Sequence, residues 1–162
     1  MTATLHLLCG KIAAGKSTLA AELSRQPGTV TIAEDAWLAR LYPGEILTID
    51  DQVKCSERLC EAMAPHIVQL LKSGLSVVLD FHANTVRRRA WMRGIVDSSG
   101  AAHQLHYFDV PDEVCLERLH RRNDAGTHEY KVTDGEFALF TRYFVPPTPD
   151  EGFDVVVHRP MT

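Results

Sequence analysis

Short apolar runs alternate along the chain with longer stretches in which apolar residues recur every three or four positions. Residues 5–9, 30–33, 76–79, 105–108 and 153–157 are the runs, and they read as five strands. Residues 16–25, 52–72, 86–98 and 113–123 carry the spacing of amphipathic helices. This strand-then-helix rhythm predicts a parallel sheet covered on both faces. Pro65 falls inside the second helical stretch and predicts a kink or break just before it, while Gly74 reads as that helix's stop. Thr133-x-x-Glu136 has the form of a capping box, and Phe137, Phe140 and Phe144 follow at helical spacing, so 133–145 reads as a further helix. Pro146, Pro147, Pro149, Asp150 and Gly152 then mark a loop before the last strand.

Composition narrows this picture in four ways. With 162 residues, 45% hydrophobic and 23% charged, the chain suits one globular domain over 1–162. Its 17 Lys and Arg against 21 Asp and Glu give a net charge of −4, which excludes a global positive field for a nucleic-acid backbone. No apolar run approaches the ~20 residues of a membrane helix, and residues 1–9 lack a basic segment ahead of an apolar one, so the expectation is a soluble cytoplasmic protein without membrane partners. Cys9, Cys55, Cys60 and Cys115 show no metal-ligand spacing, and Cys9 and Cys115 lie in apolar segments as small hydrophobes.

Directly after the first strand stands Gly10-Lys11-Ile12-Ala13-Ala14-Gly15-Lys16-Ser17, a full match to the phosphate-loop (Walker A) pattern G-x-x-x-x-G-K-[ST]. In a chain of this composition a chance match has a probability of roughly 0.002. A strand before it and a helix after it are the context the motif requires. Glycines at 10 and 15 let successive N–H groups turn inward on phosphate oxygens, and the helix beginning near Lys16 adds its positive end. Gly10, Lys11, Ala13, Ala14, Gly15, Lys16, Ser17 and Thr18 are therefore the nucleotide-binding candidates. Lys16 would reach the β and γ phosphates, and the Ser17 hydroxyl would ligate Mg²⁺.

The rest of the chain must say which phosphate-loop chemistry is meant. No N-K-x-D segment is present to read guanine. Glu34-Asp35 follows the second strand at the sheet edge where open α/β folds place ligands. Asp35 could accept a proton from a substrate hydroxyl, or could cap the helix that Trp37, Leu38 and Leu41 continue. Asp80 closes the third strand and is a candidate Mg²⁺ ligand, with His82 and Asn84 in the same loop. Arginine outnumbers lysine 12 to 5. Arg87, Arg88, Arg89 and Arg93 form one cluster, read equally well as a solvated face. Arg118 and Arg122 share a helical face at the start of a short lid around 118–131, where guanidinium groups could neutralise a transferring phosphoryl. Trp37 and Trp91 could line an acceptor pocket or simply pack.

These residues together resemble the small P-loop kinases of the zeta-toxin, chloramphenicol-phosphotransferase and polynucleotide-kinase type, often labelled AAA-type ATP-binding proteins. The likeness rests on residues 10–18, on Asp35, on Val77-Val78-Leu79-Asp80 with a downstream arginine, on residues 110–118 leading into Arg122, and on the proline-rich approach 145–152. It implies a P-loop NTPase α/β/α fold with a five-stranded parallel sheet, with Asp35 as catalytic base and Arg118 and Arg122 on the ATP phosphates or near adenine. The resulting expectation is an ATP- and Mg²⁺-dependent kinase acting on the hydroxyl of a small molecule, with nucleic acid entering only as a substrate end. The alternative is a nucleotide-hydrolysing switch acting on a protein partner.

Overall fold

All five expected strands form, and every pairing between them is parallel. The computed structural model describes residues 2–126 and 132–160. The chain runs β1 (Thr4–Gly10), α1 (Lys16–Ser24), β2 (Thr29–Ala33), α2 (Glu34–Leu41), α3 (Ile49–Lys72), β3 (Ser76–His82), α4 (Val86–Ser99), β4 (Ala102–Phe108), α5 (Asp112–Ala125), α6 (Asp134–Tyr143) and β5 (Val155–His158). The sheet order is β2-β3-β1-β4-β5, which puts the strand feeding the glycine-rich loop in the centre.

Alternation along β1 sends its residues into two separate cores. Leu5, Leu7 and Cys9 join Val77, Leu79 and Phe81 of β3 in a core closed by Leu38 of α2, Leu59 and Ile67 of α3, and Met92 and Ile95 of α4. Leu8 faces the opposite way with Val78 and Phe108, under Ala20 of α1, Cys115 and Leu119 of α5, and Phe137 of α6. The result is three layers, helix on sheet on helix. On the second face a row of imidazoles crosses three strands: His6 Nδ1 lies 3.2 Å from His106 Nε2, and His106 Nδ1 lies 3.0 Å from His158 Nε2. All four cysteines are free and buried, and among the described residues no helix is long and apolar enough to cross a membrane.

Several boundaries differ from expectation for identifiable reasons. Helix α3 begins at Ile49, three residues early, because Thr48 and Asp51 close a capping box: the Asp51 N–H donates to Thr48 Oγ1 at 3.1 Å and the Thr48 N–H donates to Asp51 Oδ2 at 3.3 Å. It also continues through Pro65 without the expected break. Proline removes one ladder bond, and burial of Leu59 and Cys60 before it and Ile67 and Leu71 after it holds both halves on the core. The helix then stops as expected at Gly74, whose N–H donates to the Leu71 carbonyl at 3.0 Å while Leu75 donates to Leu70 at 3.1 Å. Strand β3 runs on to His82, so Asp80 sits within the strand. Helix α6 carries the expected box, with the Glu136 N–H on Thr133 Oγ1 at 3.1 Å. Of the lid expected around 118–131, the part to Ala125 belongs to α5, and 127–131 lies outside the described residues.

Candidate active site

The carboxyl ends of β1, β2, β3 and β4 bring the candidate residues to one edge of the sheet. Gly10 ends β1, and a Cβ there would lie 2.9 Å from Phe108 Cβ and 3.3 Å from Ala14 Cβ, so only glycine fits. Gly15 stands at φ 116° ahead of α1, and Ala13 takes the left-handed region at φ 62°, a strained position for a residue with a side chain. The loop is thus wound tightly onto the start of α1.

Lys16 is buried, and its ammonium folds back onto the loop, donating to the carbonyls of Gly10 and, at 2.8 Å, of Lys11. Burial pushes its pKa down to about 8, against partial support from Asp80, and Arg122 nearby lowers it further. The Arg122 Nε is buried with no hydrogen-bond partner, and burial lowers the pKa of that guanidinium too. The charge of Arg122 thus acts on Lys16, and among the described residues neither cation has a carboxylate bonded to it. Arg118 is fastened differently, its Nη1 donating to the Ala14 carbonyl at 3.1 Å. The Lys11 side chain points away from the loop, to Asp112 at 2.5 Å and the Val110 carbonyl at 3.2 Å, so its contribution to a ligand would come from its backbone. Ser17 and Thr18 are exposed at the head of α1.

The carboxylates divide by role. Glu34 is buried in a clamp: Arg88 Nη1 and Nη2 each donate to it at 3.2 Å, Arg88 Nη2 also reaches Ser56 Oγ at 2.8 Å, and Ser56 donates to Glu34. Burial alone would raise the Glu34 pKa, and Arg88 with Ser56 more than offsets it, leaving the group below its ordinary value. Asp35, next in the chain, is 80% exposed at its side chain, with His82 Nε2 3.9 Å away. The capping reading does not hold, since Ala33 occupies the N-cap of α2 and Asp35 lies inside the first turn. Asp80 is half-buried, and burial raises its pKa, with the charges of Asp35 and Glu34 adding to the effect. Among the described residues no three His, Cys, Asp or Glu side chains converge on a metal by themselves.

The arginine cluster after β3, uniform in sequence, separates into distinct tasks. Arg87 pairs with Glu57 at 2.9 Å on the surface, and Arg88 belongs to the Glu34 clamp. Arg89 is wholly buried and binds Glu151, Ala83 and Val145. Arg93 pairs with Asp97 at 3.2 Å. Trp91 stacks on Phe81 at 5.6 Å as part of the packing, and Trp37 stands partly exposed on α2. Asn84, without an assigned role in the sequence, grips the loop: the Gly10 N–H donates to its Oδ1 and its Nδ2 donates to the Gly10 carbonyl, each at 3.0 Å. The only sequence signal for it was its place just past β3.

A family model described as an AAA domain (AAA_33) matches residues 5–147. The chain belongs to that family. Solved structures agree on the P-loop NTPase α/β/α fold. Chaetomium thermophilum Kti12 in complex with ADP-AlF3 aligns with a TM-score of 0.70 at 14% identity, covering 96% of this chain and 88% of that one. A sugar kinase from Janibacter sp. HTCC2649 aligns at 0.67 and 16%, covering 98% and 86%. The Mycobacterium tuberculosis APS kinase CysC, in complex with AMPPNP and APS, aligns at 0.61 and 16%, covering 98% and 89%. No curated protein sequence matches the chain.

Proposed function

We propose that this protein is an ATP- and Mg²⁺-dependent kinase that transfers the γ phosphate to the hydroxyl of a small molecule. The observation that carries the reading is the buried Lys16 ammonium at the head of a tight glycine loop, desolvated and bonded only to the Gly10 and Lys11 carbonyls, with the charge of Arg122 acting on it and the Arg122 Nε itself buried without a hydrogen-bond partner; among the described residues neither cation is bonded to a carboxylate. A bound polyphosphate removes that repulsion and supplies the missing acceptors. The structural likeness to kinases of sugars and of APS supports transfer to a hydroxyl.

The loop amides from Ala13 to Ser17 and the positive end of α1 would hold the β phosphate, and Lys16 would turn from its carbonyls to the β and γ oxygens. A divalent ion fits the oxygen donors at this edge: Mg²⁺ would take Ser17 Oγ and the Asp80 carboxylate, with phosphate oxygens and water completing its shell. Bound there, it would offset charge on the transferring group. Asp35 is exposed, does not cap α2 and among the described residues makes no ion pair closer than 3.9 Å, so its carboxylate is available to accept the acceptor's hydroxyl proton. Arg118 would stiffen the loop through Ala14 and present its remaining N–H groups, and Arg122 would bind phosphate directly.

The test is transfer of radiolabelled γ phosphate from ATP, with Mg²⁺, to a panel of neutral and charged alcohols, alongside Lys16→Ala. Label in an acceptor that disappears in the variant is the expected result. Label released only as free phosphate, unaffected by every alcohol, would instead establish a hydrolytic switch.

A further inference from the structure

The Gly10 carbonyl accepts from two donors at once, the Lys16 ammonium and Asn84 Nδ2 at 3.0 Å. The amide of Asn84 is oriented without ambiguity, because the neighbouring Gly10 N–H can only donate and so requires Oδ1 at its own 3.0 Å contact. Its backbone is also fixed. The Ala83 N–H before it donates to the Leu8 carbonyl at 3.0 Å, and its own carbonyl accepts from Val145 at 2.9 Å. Thr85 after it caps α4, accepting from the Arg88 N–H at 3.1 Å. Arg89 donates to the carbonyls of Ala83 and Val145 on either side, at 2.9 and 2.7 Å. A carboxamide so placed cannot follow Lys16 when that side chain moves.

We infer that Asn84 is a positioning residue for nucleotide binding, holding the Gly10 carbonyl hydrogen-bonded in both states of the loop so that Lys16 is released to phosphate at little cost. This rests on the kinase reading only as far as the loop binding ATP. In the empty loop the lysine rests on the carbonyls of Gly10 and Lys11. When it leaves for the β and γ oxygens, the Lys11 carbonyl retains the Ala14 N–H at 3.2 Å, and among the described residues the Gly10 carbonyl retains only the Asn84 side chain as a donor. Without the amide, departure of the ammonium would leave a carbonyl with no donor in a packed turn, and that penalty falls on the ligand-bound state alone. Asn84 would thus act through Lys16, and touch neither ATP nor acceptor.

The experiment is ATP binding by calorimetry in wild type, Asn84→Ala, Asn84→Asp, Lys16→Met and the double variant Lys16→Met/Asn84→Ala. Asn84→Ala should weaken ATP about tenfold while kcat at saturating ATP stays within about threefold. Asn84→Asp keeps the acceptor for the Gly10 N–H, removes the donor, and adds a charge that pins the ammonium, so it should lose at least as much affinity despite its matching shape. In the Lys16→Met background there is no ammonium to release, and Asn84→Ala should then change affinity by less than about twofold. Unchanged ATP affinity in Asn84→Ala, or equal losses in both backgrounds, would overturn the inference while leaving the kinase reading intact. Should Asn84→Ala fail to fold, Asn84→Asp carries the same comparison, and wild-type affinity in it is equally fatal. If wild type itself binds no ATP, the functional reading falls, and this inference with it.

Discussion

Arg89 and Glu151, 62 residues apart in sequence, meet at 2.8 Å through Nε and a carboxylate oxygen, with the guanidinium wholly buried. This pair fastens the proline-rich loop before β5 to the back of the phosphate-loop edge. Removing the carboxylate leaves a buried cation with only carbonyls and the Cys9 sulfur to accept from it, a loss of about 3–5 kcal/mol by the measure of broken buried pairs. Glu151→Ala should therefore lower the urea midpoint sharply. Arg89→Met with Glu151→Leu, which removes both charges, should recover part of the loss.

Arg122 should behave in the opposite way. Its Nε has no partner and its charge is disfavoured by burial next to Lys16, so Arg122→Met should leave the melting temperature of the empty protein unchanged or slightly raised. The same variant should bind ATP at least tenfold more weakly. A drop in melting temperature together with unaltered ATP affinity would make Arg122 a structural residue.

Asp35 separates binding from chemistry. Because it lies in the first turn of α2 without capping it, Asp35→Asn should cost little stability. ATP affinity should hold while label transfer falls by ~10² to 10⁴. Transfer within a few-fold of wild type would remove Asp35 from the mechanism.

The histidine row predicts acid sensitivity. Burial, reinforced by the neighbouring charges of His6 and His158, holds His106 down at a pKa of about 4. Its unfolded value is about 6.5, so between these limits the unfolded chain takes up a proton that the folded chain refuses, and stability falls as pH falls. The loss relative to pH 7.5 should be about 2 kcal/mol at pH 5. His106→Gln, which cannot titrate, should flatten the dependence of the urea midpoint on pH over this range.

What the sequence disclosed and what it withheld follow from range. Gly10 to Ser17 is contiguous, and the strand and helix around it are read from spacing within a few residues, so motif and fold were legible together. Arg87, Arg88, Arg89 and Arg93 look alike in sequence because their partners, Glu57, Glu34, Glu151 and Asp97, are mostly tens of residues away. The two readings of Asp35 differ by two residues in where α2 begins, which spacing cannot resolve. Asn84 was invisible as a clamp because its partner is a backbone 74 residues earlier, and no side-chain pattern marks a backbone acceptor.

The sheet order has a consequence for how the site comes into being. The loop is braced by Asn84 from beyond β3 and by Arg118 from the helix after β4, and those strands flank β1 on either side. A fragment ending before β3 would contain every letter of the glycine-rich motif and neither brace, and its first strand would have neither of its neighbours. Competence to bind a phosphate would then emerge only after both long-range strand pairings have formed, so nucleotide affinity measured during refolding should track the closing of the whole sheet rather than the helix that carries the lysine.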